Sequence, residues 1–187
     1  MRVIAGSARG VRLARPADGV RPLSDRAREG LFSSLGSVVD GARVLDLFAG
    51  TGAIGIEALS RGAARATLVD WSRPAVATIH DNLERTGVAE AATVVVADAL
   101  AFLRRDRPLE GPFDLVFLDP PYELGAPDLD DVLGVLAGGW LAEPPWTVAM
   151  TRGKKSSTPV IPIHWAAARQ LRYGDSLVTL FREVGWA

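Results

Sequence analysis

From Arg43 onward the chain repeats one pattern: a short apolar run, a turn, then a stretch with helical spacing of apolar residues. "ARVLDLF" is a buried strand, and "AGTGAIGIEALSRGA" after it is a glycine turn running into a helix that stops near Gly62. "ATLVD" is a second strand. Ser72 and Pro74 open the next helix, Val76, Ile79 and Leu83 line one face of it, and Gly87 ends it. "ATVVVAD" leads into a helix through Ala101, Phe102 and Leu103, "FDLVFLD" precedes a helical stretch over 128–137, and "WTVAM" is a fifth strand. Strands alternating with helices imply a mainly parallel sheet covered on both faces. "RQLRYGDSLVTLF" reads as two strands about a Gly174-Asp175 turn, so an antiparallel hairpin is expected at or near the sheet edge. The expected fold class is α/β, with a seven-stranded, mainly parallel sheet that includes an antiparallel strand from the C-terminal hairpin.

The segment ahead of this pattern is different. Residues 1–14 alternate weakly around "GSARG", which predicts two short strands joined by a turn, with Arg9 and Arg12 exposed. "RPADGVRP" is loop. Ser24 caps a helix whose positive end favours Asp25, Ala27, Leu31, Phe32 and Leu35 follow at helical spacing, and Gly36 ends it. Residues 1–40 therefore read as a small β-hairpin and helix extension, and residues 41–187 as the α/β domain.

Composition narrows the function classes. With no cysteine there is neither a disulfide framework nor a cysteine-ligated zinc site, and His80 and His164 are the only histidines, too few for a histidine-based metal cluster. His80 lies beside Val76 on a helix face and reads as structural. No apolar run approaches the length of a membrane span, and "MRVIAGSARG" lacks the apolar core of a secretory signal, so a cytoplasmic protein is expected. Net charge is −1, but residues 1–30 carry seven arginines against three acids, and residues 144–174 carry Arg152, Lys154, Lys155, Arg169 and Arg172 with no acid. Basic ends around an acidic middle suit a face that meets a polyanion, or a set of solvated surface charges.

Ligands of parallel sheets bind beyond the carboxyl ends of the strands. Asp46, Gly50, Asp70, Asp98 and Asp119 all fall at or just past such an end, so four segments direct acids to one crevice. Gly50, Gly52 and Gly55 have the G-x-G-x-x-G spacing between a strand and a helix, with Asp70 twenty residues past Gly50. Nicotinamide cofactors and S-adenosylmethionine compete for this motif. A pyrophosphate is drawn to a helix N-terminus, and Asp46, four residues before Gly50, opposes that anion. The acid suits a ligand ammonium, such as the methionine end of S-adenosylmethionine. Asp70 then accepts from ribose hydroxyls and Asp98 from the adenine amine, with Ala49, Thr51 and Ala99 alongside. Trp71 either packs on the adenine face or belongs to the core.

"FLDPPY" over 117–122 ends a strand with an acid, two prolines and an aromatic ring. The exocyclic amine of a purine is a poor nucleophile, because its lone pair is delocalised into the ring. A carboxylate (Asp119) accepting one amine hydrogen and a backbone carbonyl (Pro120) accepting another let the nitrogen pyramidalise. Pro120 and Pro121 fix the backbone so that the carbonyl is held in place beforehand, and Tyr122 can stack on a base taken out of its helix.

"DLFAGTGAIGIEALSRGA" followed by "FLDPPY" resembles the Rossmann-like S-adenosylmethionine-dependent amino-methyltransferases. With "VIAGSARGVRL" and "RPLSDRAREGLF" ahead of it, the chain resembles the RsmD family of bacterial 16S ribosomal RNA guanine-N2 methyltransferases, from about Arg2 to Phe181. The resemblance implies that S-adenosylmethionine is the cofactor. It implies 16S ribosomal RNA in the small subunit as partner, with no metal and no membrane, and a monomer. It assigns Asp46, Gly50, Gly52 and Asp70 to the cofactor, with Asp98 at the adenine, and Asp119, Pro120, Pro121 and Tyr122 to the target amine and base. Gly6, Arg9, Gly10, Arg21, Asp25 and Arg26 fall in blocks that it places beside RNA or at the mouth of the site. Arg9, Arg12, Arg21, Arg26, Arg152, Lys154 and Lys155 are the expected RNA contacts. Two departures stand out: Leu23 where the family has Thr after its Arg-Pro pair, and Thr151 where the family often has Glu, followed by the basic "RGKK". That basic edge reads either as loop drift or as an extra phosphate contact. N6-adenine methylation of DNA and a non-catalytic assembly binder of the same fold are the alternatives.

Overall fold

The computed structural model describes residues 1–14, 23–105, 111–121 and 123–185. Strands β1 (Arg43–Leu47), β2 (Arg65–Asp70), β3 (Ala92–Val96), β4 (Leu115–Leu118), β5 (Thr147–Gly153), β6 (Trp165–Tyr173) and β7 (Ser176–Glu183) form one sheet in the order β3-β2-β1-β4-β5-β7-β6. The first five pair in parallel. Strand β7 runs antiparallel to both β5 and β6, so the hairpin's second strand is interior and its first forms the edge. The central strands are buried on both faces: β4 reads "LVFL" with every residue covered, as a parallel strand between two helical layers requires.

Helices α1 (Asp25–Leu35), α2 (Ala53–Ser60) and α3 (Arg73–Thr86) share one core with the amino-terminal segment, around Leu31, Phe32, Ile56, Leu68 and Ile79. Helices α4 (Ala99–Leu103) and α5 (Ala126–Ala137) build the core on the other face, with Phe102, Leu133, Trp140 and Trp146. The expected caps are made. Ser24 Oγ accepts from the Ala27 amide at 3.2 Å, Ser72 Oγ from the Ala75 amide at 3.4 Å, and Gly87 ends α3 in the left-handed region. Helix α5 starts at Ala126, two residues before the expected boundary.

The predicted amino-terminal hairpin is only partly formed. Arg2 and Arg12 make a single antiparallel bridge, and neither side extends into a strand. The reason lies in where the backbone donors go. The amides of Ile4 and Ala5 donate to the Glu57 carboxylate at 2.7 and 3.0 Å, the Ser7 amide to the Ser60 carbonyl at 2.8 Å, and the Ala8 amide to Ser60 Oγ at 3.0 Å. Cross-arm bonds remain from the Val3 amide to the Val11 carbonyl at 3.0 Å, from Leu13 to Met1 at 3.2 Å and from Gly10 to Val3 at 2.9 Å, and helix α2 takes the amides nearer the turn. Glu57 is fully buried and also accepts from Arg61 Nε at 2.7 Å. Two further expectations are corrected. His80 is exposed on α3 rather than packed, and Arg28, counted with the basic arm, is fully buried with its guanidinium on the Arg2 carbonyl and on Asp25. Among the described residues, no helix is long and apolar enough to cross a membrane.

Because Glu57 gathers two arm amides and Arg61 in a dry setting, Glu57→Ala leaves several buried donors without acceptors. Urea unfolding is expected to show a loss of about 3 kcal/mol, and limited trypsinolysis should cut at Arg9 or Arg12 before the rest of the fold opens.

Candidate active site

The carboxyl ends of β3, β2, β1 and β4 lie side by side, with Asp98, Asp70, Asp46 and Asp119 at or just beyond them. Asp46 occupies the deepest position, at 1% exposure. Its Oδ2 accepts from the Gly55 amide at 2.9 Å, while Oδ1 is buried with no partner. Burial raises its pKa to about 8, against the Gly55 hydrogen bond, and the nearby acids Asp119 and Asp70 push it the same way. An orphaned carboxylate oxygen at the base of a glycine loop fits a cationic donor. A ligand ammonium there would complete its hydrogen bonding and hold it ionised.

The loop over Asp46 explains its own sequence. Gly50 and Gly52 have φ of 58° and 74°, a region that side chains disfavour. At Gly55 a Cβ would come within 2.9 Å of Leu68 and 3.2 Å of Asp46 Oδ2, so the helix can approach the carboxylate only without one. Phe48, just ahead of the loop, adopts φ 64°, the only positive φ at a non-glycine residue among those described. Nothing in the sequence marks it, since a bulky aromatic is a poor left-handed residue.

Asp70 is held by two amides, Gly50 to Oδ2 at 2.7 Å and Ser72 to Oδ1 at 2.9 Å, and each oxygen keeps a lone pair for a further donor. Trp71 beside it is 72% exposed, which removes the core alternative and leaves its face open at the crevice edge. Asp98 caps α4 through the Ala101 amide at 3.0 Å, and Ala99 is buried as the first residue of that helix. Ala49 donates to the Val69 carbonyl at 3.0 Å. Thr51 is buried, and its carbonyl accepts from Asn82 Nδ2 at 2.9 Å. Asn82, fully buried on α3, also accepts from the Ala14 amide at 2.8 Å, tying the arm to the glycine loop. It was missed in the sequence, where an amide beside the apolar stripe of α3 was the available signal.

Asp119 follows β4 directly and is half-buried. The register that pairs Leu118 with Met150 brings it alongside Thr151, whose side chain favours the charged carboxylate. Desolvation raises the Asp119 pKa to about 6, and the Thr151 side chain restrains the rise. Pro120 is buried and Pro121 exposed. The Pro121 carbonyl accepts from the Leu124 amide at 3.0 Å, whereas the Pro120 carbonyl has no partner among the described residues. Tyr122 and Arg21 lie outside the described residues.

An open cleft of 1010 Å³ begins at Asp119 and runs between the start of α1 and the β6–β7 turn. Arg26, Lys154 and Lys155 line it as expected basic residues, and Arg172 and Tyr173 line it unpredicted. Arg9 and Arg12 are exposed on the arm. Arg152 is a correction. Strand β5 continues to Gly153, past the expected end at Met150, so Arg152 belongs to the strand and is buried. Its guanidinium donates to the carbonyls of Leu124 at 3.1 Å and Ser157 at 3.4 Å, which braces the loop after Asp119 instead of meeting solvent. Among the described residues, no group of three or more His, Asp or Glu side chains could hold a metal ion.

The family model described as "Conserved hypothetical protein 95" matches residues 1–182. Ribosomal RNA small subunit methyltransferase D of Escherichia coli (strain K12) is 36% identical over 184 residues, covering 97% of this chain and 89% of that protein. The protein of the same name from Haemophilus influenzae is 32% identical over 178 residues, 93% of this chain and 89% of the other. The solved structure of yhhF from Escherichia coli superposes with a TM-score of 0.86 at 34% identity, over 98% of this chain and 97% of that one. The fold is the Rossmann-like methyltransferase fold.

If Asp46 receives the ammonium of S-adenosylmethionine, the cofactor must displace a proton from it below about pH 8. Calorimetric titration in a series of buffers is then expected to show proton release on binding, and affinity rising with pH up to that value, approaching tenfold per unit well below it. Asp46→Asn should abolish both effects and weaken binding at every pH.

Proposed function

The chain belongs to the RsmD family, that of ribosomal RNA small subunit methyltransferase D, and on that footing we infer that it is an S-adenosylmethionine-dependent enzyme methylating 16S ribosomal RNA. We propose the exocyclic N2 amine of a guanine as the accepting atom. The observation that carries the reading is the pair of acceptors at the end of β4: the Asp119 carboxylate beside the Pro120 carbonyl, which is without a partner among the described residues.

When bound, S-adenosylmethionine supplies an electrophilic methyl group. Asp46 would hold its ammonium, Asp70 its ribose hydroxyls and Asp98 its adenine amine, with Gly50, Gly52 and Gly55 giving the backbone close approach and Trp71 a ring face. Asp119 accepts one N–H of the target amine and the Pro120 carbonyl the other, which directs the nitrogen lone pair out of the purine plane. Because the proline pair fixes the backbone, little reorganisation of the carbonyl remains for the reacting complex. Asp119 is also positioned to take the proton that the amine loses, and a value near 6 keeps it ionised and ready at neutral pH. Two acceptors suffice for this chemistry, so it proceeds without a metal. We read the protein as a cytoplasmic monomer acting on the assembled or assembling small subunit, with residues 1–40 as an RNA-facing extension, Arg9, Arg12 and Arg21 among its contacts, and Tyr122 stacking on the extruded base.

Asp119→Asn is expected to lower kcat by about 10²–10⁴-fold while leaving S-adenosylmethionine affinity within about twofold. Wild-type kcat should fall toward tenfold per unit below about pH 6. Mass spectrometry of 16S RNA methylated in vitro should place the methyl group on guanine N2. A methyl group on adenine N6, or undiminished turnover in Asp119→Asn, would refute the assignment.

A further inference from the structure

The cleft beyond Asp119 has two walls that sequence reasoning did not bring together. One is the first turn of α1, with Ser24, Arg26 and Ala27; the other is the β6–β7 turn, with Arg172, Tyr173 and Gly174. Lys154 and Lys155 close the side between them. Arg26, Lys154, Lys155 and Arg172 are all exposed, and none forms an ion pair among the described residues. The acids lining the same cleft are Asp119 at its inner end and Asp175 at the turn, while Asp25 is engaged by Arg28 at 2.8 Å. The rim is therefore strongly cationic in a chain whose net charge is −1.

The walls are also locked to each other. Gly153 pairs with Ser176 across β5 and β7, and the Lys154 amide donates to the Asp175 carbonyl at 2.8 Å, so the lysines and the turn form one unit. That unit is docked on α1 by Tyr173. Its hydroxyl lies where Gly30 has no side chain, and a Cβ at Gly30 would fall 1.6 Å from it. A cationic rim that is assembled before any ligand arrives loses little freedom on binding.

We propose that α1 and the β6–β7 turn form a preformed jaw that grips the phosphodiester backbone flanking the target nucleotide, with Arg172 and Lys154 on one side and Arg26 on the other. The jaw holds single-stranded RNA. Its volume of 1010 Å³ sits at the top of the range for small-ligand pockets, roughly 300–1,000 Å³, and its open form accommodates a strand rather than a lone base. Backbone contact at the rim positions the strand; the acceptors at Asp119 select the atom. The proposal rests on the reading that RNA is the substrate, and it adds the C-terminal hairpin to the RNA-binding surface.

Fluorescence anisotropy of a labelled single-stranded oligouridine, titrated over a series of salt concentrations, tests it. Each phosphate contact contributes about 0.7 to the slope of log K against log salt for single strands. Arg172→Gln is expected to lower that slope by about 0.7, and the triple change Arg26→Gln, Lys154→Gln and Arg172→Gln by about 2. All three side chains are exposed, so the fold survives, which unaltered S-adenosylmethionine affinity would verify. Gly30→Ala removes no charge but displaces Tyr173, and should weaken RNA binding several-fold at a nearly wild-type slope. A wild-type slope in the triple variant overturns the jaw. If wild-type protein nonetheless methylates small subunits, the enzymatic reading stands; if the slope falls but wild-type protein transfers no methyl group, the jaw stands and the enzymatic reading fails.

Discussion

One carboxylate oxygen without a hydrogen bond organises this molecule. Asp46 sits near the end of the strand that occupies the middle of the parallel run, under a loop whose glycines exist to cover it, with one oxygen on the Gly55 amide and the other bare. Leaving such an atom dry costs about 1–3 kcal/mol, more when charged. Burial relieves the cost by favouring the protonated acid, which links stability to pH. The folded-state value, about 8, lies above the ordinary 3.8. This site's contribution is therefore full below 3.8 and is lost as pH rises through about 8. A cationic ligand at Asp46 would reverse that preference.

Around that site, the amino-terminal segment behaves less as an appendage than as part of the cofactor layer. Glu57 and Ser60 on α2 collect its amides, Arg61 lies 4.9 Å over the Phe32 ring of α1, and Asn82 joins Ala14 to the Thr51 carbonyl. The amino-terminal segment thus shares buried polar groups with the glycine loop after β1. Buried networks of this kind rigidify when every member is satisfied; here Arg28, with two nitrogens unpartnered, is the incomplete member.

The parallel sheet was legible because its signals are local. Apolar runs of strand length, glycine stops at 87 and serine caps at 24 and 72 each speak for their own neighbourhood, and the acids at the strand ends followed from topology. What escaped was set by tertiary partners. Alternation in residues 1–14 suggested a ladder, but only a few of its bonds form, and helix α2 takes the amides of Ala5, Ser7 and Ala8 nearer the turn. Arg152 looked like one of a basic cluster, yet two additional residues of strand placed it inside. Arg28 likewise reads as surface charge until Asp25 and the Arg2 carbonyl are seen beside it. Thr151 was noticed only as a departure; its contact with Asp119 emerges once β4 and β5 are in register. Arg172 and Tyr173 lie about fifty residues from Asp119, and no spacing rule connects them to it.

The placement of β7 has a consequence for how the chain comes into being. Strand β6 is made first but has no place to bond until Ser176–Glu183 is synthesised, because β7 separates it from β5. During translation the nascent sheet therefore carries an open flank at β5 and a free ribbon at β6, both seeking the same late partner. Closure of that gap is a zippering event reserved for the hairpin's second strand, and the wall of the cleft that depends on it cannot exist earlier. Whatever the cleft grips, it can be gripped only after Ser176–Glu183 has threaded into the sheet.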